Sequence, residues 1–339
     1  METKLEILEH IKGRVLYCDV DYVIYSKGSR VFKKYNQQDS SELLCDLSNS
    51  LFDRFLSNLH LVSRLLRLGV HHFVRTNNFY FVIYNKIIIK LDLEFNILNS
   101  IKIIGSRPLC VTHIDDMLYY GEYISNNDNS EVRLLKTDGR FHYTVTKFNN
   151  IRHIHGVFVD PYNQDIYVTT GDSDVESAIW KFNSKKEKFV PFLKGSQQQR
   201  TVQLCFTDEN IFYCTDTPFE TNYLYRLERN DIQKAIGYFD NPLPSSVFYT
   251  KNVGESIIFS TVCEPSSYNN TSECFLYVMK NGSVKKLYSE SKDCLSMRYF
   301  QYGQFLFPEM DDNIVDFIWV YSIGTNYHGI SIKLSLRGI

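Results

Sequence analysis

The chain has 339 residues, with 37 Lys and Arg against 39 Asp and Glu, a formal net charge of −2 and 44% hydrophobic residues, enough for one large core or two ordinary ones. Near-neutral charge excludes a protein that coats nucleic acid, which needs a surplus of cations to neutralise phosphates. No apolar run approaches the ~18 residues of a membrane span, and METKLEILEHIKGR lacks the apolar core of an export signal, so a cytoplasmic protein with no membrane span is expected.

In chain order, residues 3–12 have helical spacing, followed by the strand-like runs VLYCDV and YVIYS. Residues 49–67 are helical again, with Leu51, Phe55, Leu59, Val62 and Leu66 on one face. From there the runs are almost all strand-like: FYFVIY, KIIIKLDL, MLYYGEY, GVFVDP, DIYVTTG, AIWKF, NIFYCTD, YLYRLE, SIIFSTV, CFLYVM, GQFLFP, DFIWVYSI and GISIKLSL. They are rich in Val, Ile, Tyr, Phe and Thr and broken by Gly, Asn, Asp and Pro. Eight scattered cysteines without a CxxC pair read as reduced, mostly core residues.

The strand runs recur every 40–50 residues or so, the mark of a repeat architecture. The clearest unit, 155–194, reads as four short antiparallel strands, and similar units fall near 14–47, 68–103, 107–149, 200–240, 244–288 and 297–337. The expectation is an all-β fold, a β-propeller of four-stranded antiparallel blades, with seven blades preferred over six. It would form one domain, 1–339, with 49–67 a helical insertion between the first two blades.

The segments LLKTDGRFHYTVTKF, AIWKFNSKKEKFVPF and LYVMKNGSVKKLY resemble degenerate Asp-box (BNR-like) repeats of sialidase-type propellers, Asp138 and Gly139 matching the pattern while its Ser and Trp are missing. YYGEY, IRHIHGVFVDPYNQDIYVTTGDSD, FTDENIFYCTDTP and FQYGQFLFP resemble segments of bacterial Asp-box-like propeller proteins, some from surface-polysaccharide loci. HGVFVDPYNQDIYVT is similar to one blade of gluconolactonase/regucalcin-type propellers, in which an Asn at the place of His155 ligates a metal. The resemblance implies a propeller fold and a setting in carbohydrate chemistry, and carries no reaction with it.

In a propeller the start of each innermost strand and the end of the second strand meet at one face. Second-strand ends supply Glu122, Asp172, Asp216 and Glu264, and innermost-strand starts supply Arg107, Arg152, Arg200 and Arg298. Arginines hold a carboxylate or phosphate bidentately, so this ring is suited to an anionic carbohydrate of the sialic acid or uronate type. Arg107, Arg152, Arg200, Arg298, Glu264 and Tyr302 are the expected binding residues, and Glu122, His155, Asp172 and Asp216 the expected acid–base residues. The sialidase resemblance implies that Tyr120 or Tyr302, Glu122 and Asp172 stand in the roles of its Tyr/Glu pair and acid. His153-x-His155 puts two imidazoles on one side of an extended segment, a spacing for a divalent metal ion if Glu122 or Asp172 adds oxygen. Cleavage by glycoside hydrolysis or by a lyase reaction, and simple binding, all remain open. The alternative function is a non-catalytic protein-interaction scaffold, its charges serving only to fasten blades together.

Overall fold

The computed structural model describes residues 6–229, 231–237, 242–269 and 271–338. Alternation of apolar and polar side chains sets the outer strands. In Glu273–Lys280, for example, Cys274, Leu276 and Val278 are buried while Phe275 and Tyr277 between them are half-buried. Strands Tyr80–Tyr84 and Ser256–Thr261 are instead buried along their whole length, which their continuous apolar and small residues allow.

Seven antiparallel sheets result. Six follow in chain order over 14–46, 70–102, 111–148, 154–194, 204–237 and 247–291. The seventh contains Gln304–Leu306, Phe317–Ile323 and Ile330–Ser335 and takes its fourth strand, Ile7–Lys12, from the beginning of the chain. The first sheet gains a short fifth strand, Glu309–Met310, parallel to Arg14–Cys18. This is a seven-bladed β-propeller of four-stranded sheets.

Two expectations are corrected. Residues 7–12 are a strand, because pairing with Ile330–Ser335 satisfies their backbone groups and outweighs the helical spacing of ILEHIK. The last blade therefore does not draw all its strands from 297–337. Residues 3–5 lie outside the described ones. Helices do form at α1 (Leu51–Asn58), capped by the Ser50 hydroxyl accepting from Asp53 N–H, and α2 (His60–Leu66).

The chain divides into two compact units. The first takes the chain up to Lys102, Val253–Ile258 and the chain from Ser272 on; the second takes Ile103–Asn252 and Phe259–Thr271. In the first, Leu16, Ile24, Val31, Tyr84 and Leu91 form one core and Leu276, Phe305, Ile318 and Ile332 another. Fully buried Trp319 packs with Ile11, Cys18 and Val23, tying the seventh blade to the first. In the second, Val132, Leu134, Ile154 and Val168 form one core and Phe158, Tyr167, Leu204 and Tyr213 another. All eight cysteines are free, six of them buried.

Candidate functional site

The fourth blade carries the densest group of chemical side chains, all within the second unit. Its innermost strand, Ile154–Val159, slips register against Ile166–Thr170: Ile154 pairs with Thr170 and Gly156 with Thr169, leaving His155 as the extra residue of a bulge. Bulges re-aim side chains at strand ends. Here His155 Nε2 comes within 3.7 Å of Asp172 Oδ1, and His153 Nε2 within 3.7 Å of Asp172 Oδ2. The imidazole centroids are 5.1 Å apart, and the His153 ring packs on Tyr123 with centroids 4.2 Å apart.

Asp172 is held in an unusual conformation, with φ of 143°. L-residues rarely adopt such a backbone, and where they do the surroundings must enforce it. Gln197 Nε2 and Arg200 Nη1 both donate to the Asp172 carbonyl, at 3.1 Å each. Glu176 fixes the rest of the loop, accepting from Ser173 Oγ at 2.7 Å, Asn129 Nδ2 at 3.0 Å and Arg152 N–H at 3.0 Å. The preceding Gly171 has no room for a side chain, since a Cβ there would stand 2.9 Å from both Arg200 Cγ and His155 Cε1. Gly171→Ala is therefore expected to displace His155 or Arg200, costing about 1–3 kcal/mol in stability and about tenfold or more in the affinity of any ion the cluster holds. Calorimetric titration with MnCl2 alongside a thermal melt checks both.

Two guanidinium groups reach the same carboxylate. Arg152 Nη1 is 3.2 Å from Asp172 Oδ2, and Arg200 Nη2 is 3.4 Å from Oδ1. Arg200 Nε also faces Asp216 Oδ2 at 3.5 Å. The side chain of Arg152 is 42% exposed and that of Arg200 13%, so Arg152 is the one within reach of a ligand from solvent. Burial alone would raise the Asp172 carboxyl, but the facing His155 and His153 and the Arg200 charge hold it well below the usual carboxylate range. Burial, with His155 adding to it, pushes His153 down to about 4. Burial raises Asp216, with Arg200 opposing. It also pushes Glu264 up to about 7, the charge of Asp216 adding to the effect. Asp216 Oδ1 and Glu264 Oε2 are buried atoms without a hydrogen bond.

His155 Nδ1 lies 3.0 Å from the Thr201 carbonyl. A carbonyl only accepts, so this nitrogen carries the proton, and in the neutral ring the Nε2 lone pair faces Asp172. A cation shared between them suits that arrangement, and an imidazole oriented by a backbone carbonyl is how metal-binding histidines are usually set. One donor atom from each of His153, His155 and Asp172 lies within 4.8 Å of the others. Two imidazoles and a carboxylate fit a first-row divalent ion such as manganese, iron or zinc, with coordination positions left open.

The structure thus gathers His153, His155, Asp172, Arg152, Arg200 and Asp216, and gives Glu264 the electrostatic influence of Asp216 and Arg200. Glu122 borders the cluster, its carbonyl accepting from Ile154 N–H at 3.2 Å, while its buried carboxylate takes Arg133 Nη2 at 2.5 Å, Arg133 Nε at 3.0 Å and Arg133 N–H at 2.9 Å. Arg107 is half-buried ahead of Val111–Ile114. Arg298 and Tyr302 belong to the first unit, where the Arg298 guanidinium lies 5.5 Å from the Tyr299 ring and the Tyr302 carbonyl backs onto Gly324. Asp138 caps the turn before His142–Phe148, its Oδ1 accepting from Arg140 and Phe141 N–H at 2.8 Å each. Gln197, Glu176 and Thr201 were not expected from sequence; the one available signal was the Gln-Gln-Gln run directly before Arg200.

No protein-family model matches this sequence, and neither does any curated protein. Solved structures are similar. A chain of the "Crystal Structure of Mitotic Checkpoint Complex" has a TM-score of 0.59 at 9% identity, covering 98% of this chain and 95% of that one. "Oligogalacturonate lyase in complex with manganese" has 0.55 at 10%, covering 95% and 89%. Kuenenia stuttgartiensis hydrazine synthase has 0.51 at 10%, covering 74% and 73%. At such identities the likeness shows the fold alone, the seven-bladed propeller already described. No helix among the described residues is long and apolar enough to cross a membrane.

Proposed function

We propose that the cluster in the second unit binds a divalent cation and, through it and Arg152, an acidic carbohydrate of the uronate or sialic acid type. The observation that carries this reading is the convergence of His153, His155 and Asp172 on one point, with Arg152 on the same carboxylate. Charge decides the order of events. Arg152 and Arg200 face Asp172, Asp216 and Glu264, so the side chains alone offer an anion no net positive field. A bound divalent ion reverses that balance.

When bound, the ion would neutralise the sugar carboxylate and make the hydrogen on the adjoining carbon more acidic. Arg152, the exposed guanidinium, orients that carboxylate, while Arg200 keeps Asp172 and its loop in place. Glu264 titrates close to neutrality and is suited to move a proton, as elimination from a uronate requires. A solved structure of similar fold is an oligogalacturonate lyase in complex with manganese, which supports testing uronates first. Free cysteines throughout support a reducing, cytoplasmic compartment, and with it a place in intracellular polysaccharide turnover or biosynthesis.

A second reading, an interaction scaffold, has its own support: both guanidinium groups are already paired with Asp172, and a chain of a multiprotein complex shares the fold. A thermal-shift titration separates the two. The protein is melted with MnCl2 or ZnCl2, with and without EDTA, then with galacturonate oligomers and sialic acid in the presence of the ion, followed by absorbance of unsaturated product. The expected result is a rise in melting temperature with the ion and a further rise with an acidic sugar only when the ion is present. No shift with either ion would overturn the proposal in favour of the scaffold. A sugar shift that survives EDTA would overturn the order of events.

A further inference from the structure

Helices α1 and α2 of the first unit are inside out. Their buried residues are polar, Ser57 and Arg64. The Ser57 hydroxyl lies 2.7 Å from the Tyr84 hydroxyl, and Arg64 Nη1 lies 2.7 Å from Asp293 Oδ2 with its guanidinium over the Phe300 ring. The outward residues are apolar: Leu51 is 78% exposed, Phe52 69%, Phe55 60% and Leu61 59%, with Leu65 and Leu66 about half exposed. Large Leu and Phe side chains brought together in one short hairpin form a patch of the kind that marks a protein or membrane contact.

The exposed charge at this patch is mainly positive. Its one acid within 51–67, Asp53, is turned to structure: Oδ1 accepts from Asn85 Nδ2 at 3.1 Å and Oδ2 from Asn49 N–H at 3.3 Å. Asp46 is taken by Arg54 at 2.9 Å and Arg30 at 3.5 Å. The exposed cations are Arg67 at the end of α2, Lys86 beside Asn85, and Lys27 in the turn that abuts Asn58 through Gly28. We infer that this hairpin docks on the surface of an anionic lipid bilayer, with Phe52, Phe55, Leu61 and Leu65 entering the boundary of head groups and acyl chains while Lys27, Arg67 and Lys86 meet the phosphates. Outward Leu and Phe framed by Lys and Arg are the pattern of an interfacial helix. A second copy of the chain fits worse, because a self-complementary contact would bring the two cationic rims together, and helices of two turns give a partner helix little length to engage.

The test is flotation of the full chain with vesicles of phosphatidylcholine alone and of phosphatidylcholine with phosphatidylglycerol. The protein is expected to float with the anionic vesicles and to be released by salt. Combined Phe52→Ser and Phe55→Ser should abolish flotation, and Arg67→Glu with Lys86→Glu should weaken it by about fivefold or more for each cation lost. These side chains are exposed, so melting temperatures should match the parent chain. Failure of the parent chain to float with anionic vesicles would overturn the inference, as would flotation unaffected by the double serine variant. Light scattering that shows a dimer which the serine variant splits, without flotation, would assign the patch to a second copy instead.

Discussion

Asp172→Ala is expected to eliminate divalent-cation binding and to lower folding stability by about 3 kcal/mol, the low end of what breaking a buried ion pair costs. Asp172 is the one group common to four cationic or cation-ready partners, Arg152, Arg200, His153 and His155. Alanine still leaves Arg200 facing Asp216 at 3.5 Å and donating to the carbonyl of residue 172, which is why the loss should stay near that low end. The backbone supplies an internal control. At φ of 143° a Cβ is strained and glycine is not, so Asp172→Gly should recover about 1–2 kcal/mol of the loss while binding no more metal than the alanine variant. Urea denaturation and calorimetric titration with MnCl2 separate the two effects. An alanine variant that binds manganese as tightly as the parent would remove Asp172 from the ligand set. A glycine variant no more stable than the alanine one would mean that the loop, held by Gln197, Glu176 and Arg200, sets the cost rather than residue 172.

The propeller was legible because its signal is repeated. Seven sets of strand runs at one spacing average out local errors, and the runs of Val, Ile, Tyr and Phe have few other ways to be buried. What failed at the ends failed for a nonlocal reason: whether ILEHIK is helix or strand depends on Ile330–Ser335, more than 300 residues away, which offers it a sheet edge. The cluster was legible in part. The HxH spacing and the acids at strand ends singled out His153, His155, Asp172 and Asp216, which the structure brings near one another, the first three from the fourth blade and Asp216 from the loop after Asn210–Cys214 of the fifth, because strand geometry fixes where ends lie. Glu122 satisfied the same rule and yet its carboxylate went to Arg133 on the neighbouring strand, a cross-strand choice that no spacing encodes. The bulge that re-aims His155 and the carbonyl of Thr201 that fixes its tautomer are likewise products of pairing register and backbone, to which side-chain patterns are blind.

Glu264→Gln should make the protein more stable at alkaline pH. The carboxyl is pushed up to about 7 by burial and by Asp216, whereas in the unfolded chain a glutamic acid titrates near ~4.3. Below about pH 4 both states are protonated and the group contributes no pH dependence. Between about 4 and 7 the unfolded chain gives up the proton while the folded chain keeps it, so the folded state binds more protons and stability falls as pH rises; above about 7 the loss is complete. A shift of this size at about 1.4 kcal/mol per pH unit sets a ceiling of about 4 kcal/mol, and the partial exposure of Glu264 brings the expected value to about 2. Glutamine keeps the shape and removes the charge, so its melting temperature should equal that of the parent near pH 4 and exceed it by a few degrees near pH 8. Since Glu264 is not among the three metal-ligand candidates, manganese affinity should change by less than the loss seen on removing Asp172, while any proton transfer to or from an acidic sugar should stop. A variant less stable than the parent near pH 8 would show that the carboxylate is ionised and paired in the folded state, and would leave Glu264 as a partner of Arg200 instead of the group that carries the proton.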